Sequence, residues 1–305
     1  MSKKILITGA TGLIGLKLCK MLIGRGDHLT IFTRDLQKAK KEISGAREYV
    51  SWNYNIPGEW SGCINGKDAV IHLAGASIAG KRWNKEYKDI IMESREKSTR
   101  SLVNAIEQAA QKPSSFISSS AVGYYGNSGN TILTEDSDNR NDFLSNVCKV
   151  WEEEAEKVER LGVRRVSVRT GIVLSKDGGA LKQMLPAFRF FAGGPLGNGR
   201  QWFPWIHIDD LIRIYIYALD NSSVSGSINA AAVNPITMKE FAKKLGKTLH
   251  RPAIIPVPLF ALKMAIGESA KAVVASQRVV PEKLLRGGFK FKFENAEDAL
   301  RDLLL

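Results

Sequence analysis

The sequence predicts an α/β protein: a doubly wound parallel sheet with a smaller, mostly helical C-terminal lobe. Three observations carry this. Short apolar runs such as Ile5-Leu6-Ile7 and Ala69-Val70-Ile71-His72-Leu73 alternate with longer stretches of helical period, the pattern of a parallel sheet covered on both faces. The first run leads directly into glycines at 9, 12 and 15 and an apolar stretch from Leu13 to Leu22. This strand–turn–helix order suits a diphosphate held at a helix N-terminus. From Thr237 onward the strands give out, and helical stretches broken by Pro252, Pro256, Pro258 and Pro281 take over. We expect residues 1–225 to form the nucleotide-binding domain, with 163–205 on its substrate side, and residues 226–305 to form the small lobe.

Taken in order, Gly9 permits the tight turn, Gly12 lets backbone N–H groups approach a pyrophosphate, and Gly15 lets the helix pack on the strand. His28 to Thr33 reads as the second strand. Arg34 stands at its end, where a ribose-reading residue belongs, and an Arg there pairs with a 2′-phosphate. Asp35, one position later, could instead accept ribose hydroxyls. The balance favours NADP(H) over NAD(H). Tyr49 to Trp52 is the third strand. Ala69 to Gly75 is the fourth, ending in small residues that let a ligand lie against the backbone; His72 reads as a core histidine. A helix from Lys85 to Gln111 ends at Pro113, and Ser115 to Ser120 is the fifth strand.

Residues 126–146 are rich in Asn, Asp, Ser and Gly and read as a substrate loop. Val147 to Leu161 reads as a helix with Glu152, Glu153, Glu154 and Glu156 on its exposed side. Val163 to Thr170 is a strand, and Ala180 to Ala192 a helix. The glycine-rich stretch 193–199 leads to Trp202, Phe203 and Trp205, aromatics that suggest an apolar or ring-containing substrate. In Pro204-Trp205-Ile206-His207-Ile208-Asp209-Asp210 we read Asp209 or Asp210 as a helix N-cap, and no metal is expected. Ser227 to Ala231 is the last strand.

Composition excludes several classes. A net charge of +13 raises the question of an anionic partner, yet the basic residues are scattered and no aromatic-interleaved basic stripe appears. A charged dinucleotide accounts for part of the excess, and no nucleic-acid partner is expected. Three cysteines, Cys19, Cys63 and Cys148, are too far apart for a C-x-x-C motif and suit a reducing cytoplasm. The apolar start is broken by Thr8, Gly9, Thr11 and Gly12, so we do not expect it to act as a signal peptide, and the segment Ile254 to Ile266 is too short to span a bilayer. No membrane association is expected, and the oligomeric state is left open.

The G-x-x-G-x-x-G spacing is the form seen in short-chain dehydrogenase/reductases. Further motifs join it: His72-Leu73-Ala74-Gly75-Ala76-Ser77-Ile78, Arg82-Trp83, Ser94-Arg95, Cys148 with Trp151-Glu152, Phe203-Pro204-Trp205-Ile206-His207, and a tail with Pro281, Leu284, Leu285, Gly288, Phe289 and Phe291. Together they resemble the atypical short-chain dehydrogenase/reductases of the NAD-dependent epimerase/dehydratase family, of the cell-division-inhibitor-like type with its characteristic C-terminal domain. The resemblance covers essentially the whole chain. It implies an NAD(P)-binding Rossmann fold with NADP(H) favoured, a pocket lined by Gly9, Thr11, Gly12, Leu13, Ile14, Gly15, Arg34, Leu73, Ala74, Gly75 and Ser118, and an undefined small-molecule substrate.

In that superfamily a Tyr-x-x-x-Lys pair moves the hydroxyl proton, the ammonium lowering the phenol's pKa. Here Lys149 lies in the expected helix, but the residue four before it is Ser145. Ser120, at the end of the fifth strand, suits the substrate-binding hydroxyl. Three readings stay open: Tyr124 or Tyr125 supplies the phenol from another direction; Ser145 and Lys149 act through a water; or the protein binds NADP(H) without turnover, as a regulatory or assembly protein. We take Ser120, Tyr125 and Lys149 as the candidate catalytic set of an oxidoreductase or epimerase-like enzyme.

Overall fold

A computed structural model describes residues 2–56 and 58–305. The first half runs β1 (Lys4–Thr8), α1 (Leu13–Gly24), β2 (His28–Thr33), α2 (Leu36–Glu42), β3 (Glu48–Ser51), β4 (Ala69–His72), α3 (Lys85–Gln108), β5 (Ser115–Ala121), β6 (Ile132–Leu133) and α4 (Phe143–Glu156). Then follow β7 (Arg164–Thr170), β8 (Ile172–Leu174), α5 (Gly179–Arg189), β9 (Trp202–Phe203), β10 (Trp205–His207), α6 (Ile208–Asp220) and β11 (Gly226–Ala230). The tail adds β12 (Ile236–Thr237), α7 (Met238–Leu249), α8 (Leu259–Ile266), α9 (Ala270–Val273), β13 (Arg278–Val279), α10 (Glu282–Arg286) and α11 (Ala296–Leu304).

Seven strands form one parallel sheet in the order β11-β7-β5-β4-β1-β2-β3. The chain winds outward from β1 to β3, then returns to place β4 on the other side of β1. The strand order therefore reverses between β1 and β4, and the crevice beyond their carboxyl ends is where open α/β sheets bind ligands. Strand alternation divides the core. Ile5 and Ile7 of β1 join Leu18 and Leu22 of α1 and Leu211 and Tyr215 of α6 on one face. Leu6 joins Val70, Phe116 and the α3 residues Leu102 and Ile106 on the other. The doubly wound sheet expected from the sequence is present. Among the described residues, no helix is long and apolar enough to cross a membrane.

Several boundaries differ from expectation, each for a visible reason. The division at residue 225 cuts through the architecture, because β11 at 226–230 is the seventh strand of the main sheet. The stretch 126–146 is not all loop. Ile132–Leu133 pairs with Arg278–Val279 of the tail, and α4 begins at Phe143 because the Asp142 side chain accepts a hydrogen bond from Ser145 N. The N-cap of α6 is neither Asp209 nor Asp210 but His207, whose Nδ1 accepts from Asp209 N at 3.1 Å. Asp210 has a different task. Almost fully buried, it accepts from Lys292 N at 2.7 Å and Phe293 N at 2.8 Å, and pairs with Arg213 at 3.0 Å. One carboxylate thus ties the C-terminal lobe to α6.

Asp210→Ala removes the acceptor for two backbone N–H groups, so it should destabilise the protein by about 2–4 kcal/mol. Urea unfolding checks this; a loss under about 0.5 kcal/mol would show that the lobe is held by other contacts.

Candidate functional site

The crevice is built by a close backbone approach. Gly9 has φ +68, and a Cβ there would lie 2.6 Å from Leu73 C and 2.7 Å from Ala74 N. Only glycine permits that turn beside that strand end. At Gly15 a Cβ would lie 2.6 Å from Ala10 Cα, so α1 can sit directly on the turn. Polar groups fix the same junction from below. Thr8 Oγ1 lies 2.7 Å from His72 Nδ1 and accepts from Ala74 N at 3.3 Å, while His72 Nε2 lies 3.1 Å from Ser98 Oγ of α3. His72 is fully buried; burial, with Arg95 adding to it, lowers its pKa to about 3. It is the neutral core histidine that its place in the strand suggested.

The N-terminus of α1 is bare. Gly12 caps it without a side chain, no acidic residue occupies the first turn, and the N–H groups of Leu13, Ile14 and Gly15 find no acceptor among the described residues. Thr11 is half-buried beside them, and Gly178, in the loop before α5, packs against Leu13. Such an end, with its partial positive charge, suits phosphate oxygens. At the end of β2, Asp35 is engaged: its side chain caps α2 by accepting from Lys38 N at 2.9 Å. Arg34 beside it is exposed and has no hydrogen-bond or ion-pair partner among the described residues. Leu73, Ala74 and Gly75 continue from β4 along the crevice. Ser118 is buried within the sheet, its Oγ 3.4 Å from Ser167 Oγ.

Of the expected catalytic set, Ser120 and Tyr125 meet in one network, but Lys149 does not join them. Lys149 turns to solvent and lies 3.9 Å from Glu153. The inward face of α4 carries Ser145, Cys148, Trp151, Glu152 and Ala155, and Lys149 lies one residue past that face. Ser145 is a buried clasp: its Oγ donates to Tyr124 O at 2.7 Å and accepts from Arg140 N at 2.9 Å. The i, i+4 pair that packs near Gly123 is Leu144 and Cys148. Burial pushes the Cys148 thiol up to about 12, so neither residue offers an acid–base group near neutral pH.

Ser120 and Tyr125 belong to a buried network that sequence reasoning missed. Ser120 Oγ donates to Glu152 Oε1 at 2.6 Å, and Arg169 of β7 clamps the same carboxylate with Nε and Nη2, both at 2.9 Å. Arg169 Nη1 donates to the Tyr125 hydroxyl at 2.9 Å, which donates to Asn229 Oδ1 at 2.7 Å. Ser227 Oγ adds a bond to Glu152 Oε2 at 2.7 Å. Burial raises the Tyr125 phenol to about 12, with Arg169 and Asn229 pulling the other way. Glu152 and Glu154 are therefore buried, against the expectation of four exposed glutamates; Glu154 pairs with Arg100 at 2.8 Å and Lys157 at 2.7 Å.

Two other groups also take structural roles. Phe203 and Trp205 fill the core, leaving only Trp202 part-exposed with Arg278 over its ring. His207, Asp209 and Asp302 bring ligand atoms within 4.8 Å of one another. Lys17 pairs with Asp209, and Lys292 approaches Asp209 at 3.5 Å and Asp302 at 3.6 Å, so the carboxylates already have cationic partners.

Fold and crevice together define a doubly wound protein with a dinucleotide-type glycine turn. The sequence model of the NAD dependent epimerase/dehydratase family matches residues 5–231, and that of a domain of unknown function, DUF1731, matches residues 257–303. The chain belongs to the NAD dependent epimerase/dehydratase family. It is 42% identical over 300 residues to the chloroplastic epimerase family protein SDR39U1 homolog of Arabidopsis thaliana, covering 98% of this chain and 86% of that one. It is 38% identical over 303 residues to epimerase family protein YfhF of Bacillus subtilis, covering 98% and 97%. Among solved structures, human epimerase family protein SDR39U1 (isoform 2), crystallised with NADPH, superposes with a TM-score of 0.87 at 32% identity, covering 98% of each chain. A Bacillus cereus UDP-glucuronic acid 4-epimerase shares the fold, with a TM-score of 0.79 at 18% identity over 98% of this chain and 97% of that one.

Two measurements test this geometry. Arg169→Met strands the buried Glu152 carboxylate and should cost about 3–5 kcal/mol, which pairing with Glu152→Gln should partly restore; a loss below about 1 kcal/mol would contradict the clamp. His72 stays neutral when folded and takes up a proton near pH 6.5 when unfolded. Its contribution is full above pH 6.5 and falls by about 1.4 kcal/mol per pH unit toward pH 3. His72→Gln should therefore flatten the stability–pH slope by one proton across that window; an unchanged slope would contradict a buried neutral imidazole.

Proposed function

We propose that this chain is an NADP(H)-dependent oxidoreductase or epimerase-like enzyme acting on a small carbonyl or hydroxyl compound. The observation that carries the cofactor choice is the division of labour at the end of β2. Asp35 is committed to capping α2, which leaves the unpartnered Arg34 as the residue to meet the adenosine ribose. A guanidinium pairs with a 2′-phosphate and gives ribose hydroxyls no acceptor. The bare α1 N-terminus would hold the diphosphate, and Leu73 to Gly75 would flank it. The NADPH in the crystal structure of the human relative supports the same assignment.

A bound nicotinamide supplies or accepts hydride; this chain's part is to orient the substrate and manage its proton. Ser120, at the carboxyl end of β5, gives its one proton to Glu152, so it would accept from a substrate hydroxyl, and it would have to turn from Glu152 to donate to a carbonyl oxygen. Tyr125, held by Arg169 and Asn229, is poorly disposed to donate, and Lys149 faces water, so proton transfer falls to Ser120 and water. Hydride chemistry with such a shuttle is slow compared with a lysine-activated phenol. That same feature favours a second reading, in which the protein binds NADP(H) without turnover as a regulatory or assembly protein.

Arg34→Ala should weaken NADPH binding about 10- to 100-fold and leave NADH binding within about twofold, measured by quenching of tryptophan fluorescence. Equal loss for both nucleotides would remove the 2′-phosphate assignment. With a panel of aldehydes and ketones, NADPH oxidation by wild type should fall about 100-fold in Ser120→Ala. No oxidation of NADPH with any of them would favour the non-catalytic reading.

A further inference from the structure

Arg95 of α3 is a cation without a counter-ion at the edge of the same crevice. A Cβ built at Gly75, three residues past the end of β4, would lie 3.2 Å from Arg95 Cζ and 3.4 Å from Nη2. The guanidinium thus lies directly against the backbone that continues from the Gly9 contact at Leu73 and Ala74. Its other side faces the Trp151 ring of α4, 5.0 Å from Cζ to the centroid. Among the described residues it makes one hydrogen bond, from Nη1 to Ile91 O at 2.9 Å. No carboxylate lies within 4.0 Å among the described residues. Arg169 and Arg165 are each answered by a glutamate, Glu152 and Glu159. Cys148 of α4 and Tyr87 of α3 are the groups whose negative forms would favour its charge, and burial keeps the Cys148 thiol neutral. Burial alone works against the charge on Arg95.

A planar fork of N–H donors set against one aromatic ring, with Nε and Nη2 making no hydrogen bond among the described residues, matches a carboxylate or phosphate in a two-point contact. Keeping such a cation part-buried and unanswered costs stability unless a ligand completes it. We propose that Arg95 is an anion-binding residue of the crevice, which takes two oxygens of a carboxylate or phosphate carried by the bound cofactor or by the substrate. This deepens the function proposed above and rests on it for the identity of the ligand. It does not rest on it for the presence of the site. If the anion is the substrate's, the enzyme acts on acidic compounds and not on simple aldehydes or ketones.

The test compares wild type, Arg95→Met and Arg95→Lys, with NADPH, inorganic pyrophosphate and oxalate as probes, by calorimetry on free and NADPH-loaded protein. Arg95→Met should weaken at least one probe tenfold or more, and Arg95→Lys less so, since it keeps the charge without the fork. Loss of NADPH and pyrophosphate affinity assigns the anion to the cofactor. Loss of oxalate affinity alone, in NADPH-loaded protein, assigns it to an acidic substrate. All three probes binding Arg95→Met within twofold of wild type would overturn the proposal, as would wild type binding none of them. Melting temperatures of the ligand-free proteins separate a structural role, which would lower stability without moving any affinity. Should Arg95→Met fail to fold, Arg95→Lys and Arg95→Gln carry the test: Gln must weaken at least one probe tenfold and more than Lys does, and unchanged binding in both would overturn the proposal. Failure of wild type to bind NADPH while oxalate or pyrophosphate binding still depends on Arg95 would defeat the cofactor reading and leave this one standing.

Discussion

The architecture turns on one close approach, that of the Gly9 turn to the backbone at Leu73 and Ala74. It is possible only because residue 9 lacks a Cβ and adopts a positive φ, and it brings the end of β4 against the N-terminus of α1. The Thr8–His72–Ser98 chain of hydrogen bonds holds the junction from the protein interior. Because this junction coincides with the reversal in strand order, the crevice is a consequence of the winding and needs no special loop to create it. A dinucleotide could lie in this crevice only because the two backbones come that close.

Next to the crevice lies a second, drier construction. Glu152, Arg169, Ser120, Ser227, Tyr125 and Asn229 come from α4, β7, β5, β11 and the turn after β5, and each polar atom that enters the network finds a partner. A network satisfied to that degree rigidifies what it joins. It holds β5, β7 and β11 together under α4, so this end of the sheet is stiff. The arrangement also explains why a tyrosine so near Ser120 in sequence is a strut: its hydroxyl is already spoken for on both sides.

Much of this was legible in the sequence, where signals are local. The glycine turn, the parallel strands and the core histidine follow from spacing and alternation within a dozen residues. What escaped depends on partners far along the chain. Glu152 looks like one of a run of surface glutamates until Arg169 arrives from the next strand. Asp210 reads as a cap until Lys292 and Phe293 return from the tail. The phase of α4 is set by packing, and a shift of one residue decides that Cys148 faces inward and Lys149 faces water. Aromatics at 202–205 resemble a pocket lining in sequence but serve the core, because β9 and β10 are covered by α6 and α7. Arg95 stood in the sequence only as part of the Ser94-Arg95 motif, with no role attached, since what marks it is the absence of a carboxylate in three dimensions.

The central claim is that the bare amides of α1 hold a dinucleotide's phosphates. Backbone amide resonances followed during titration with NADPH test it most directly. The account predicts saturable binding in which the signals of Leu13, Ile14 and Gly15 move most, with those of Leu73 to Gly75 moving with them. Saturation that leaves the α1 amides unmoved, or no binding of any nicotinamide nucleotide, would contradict it.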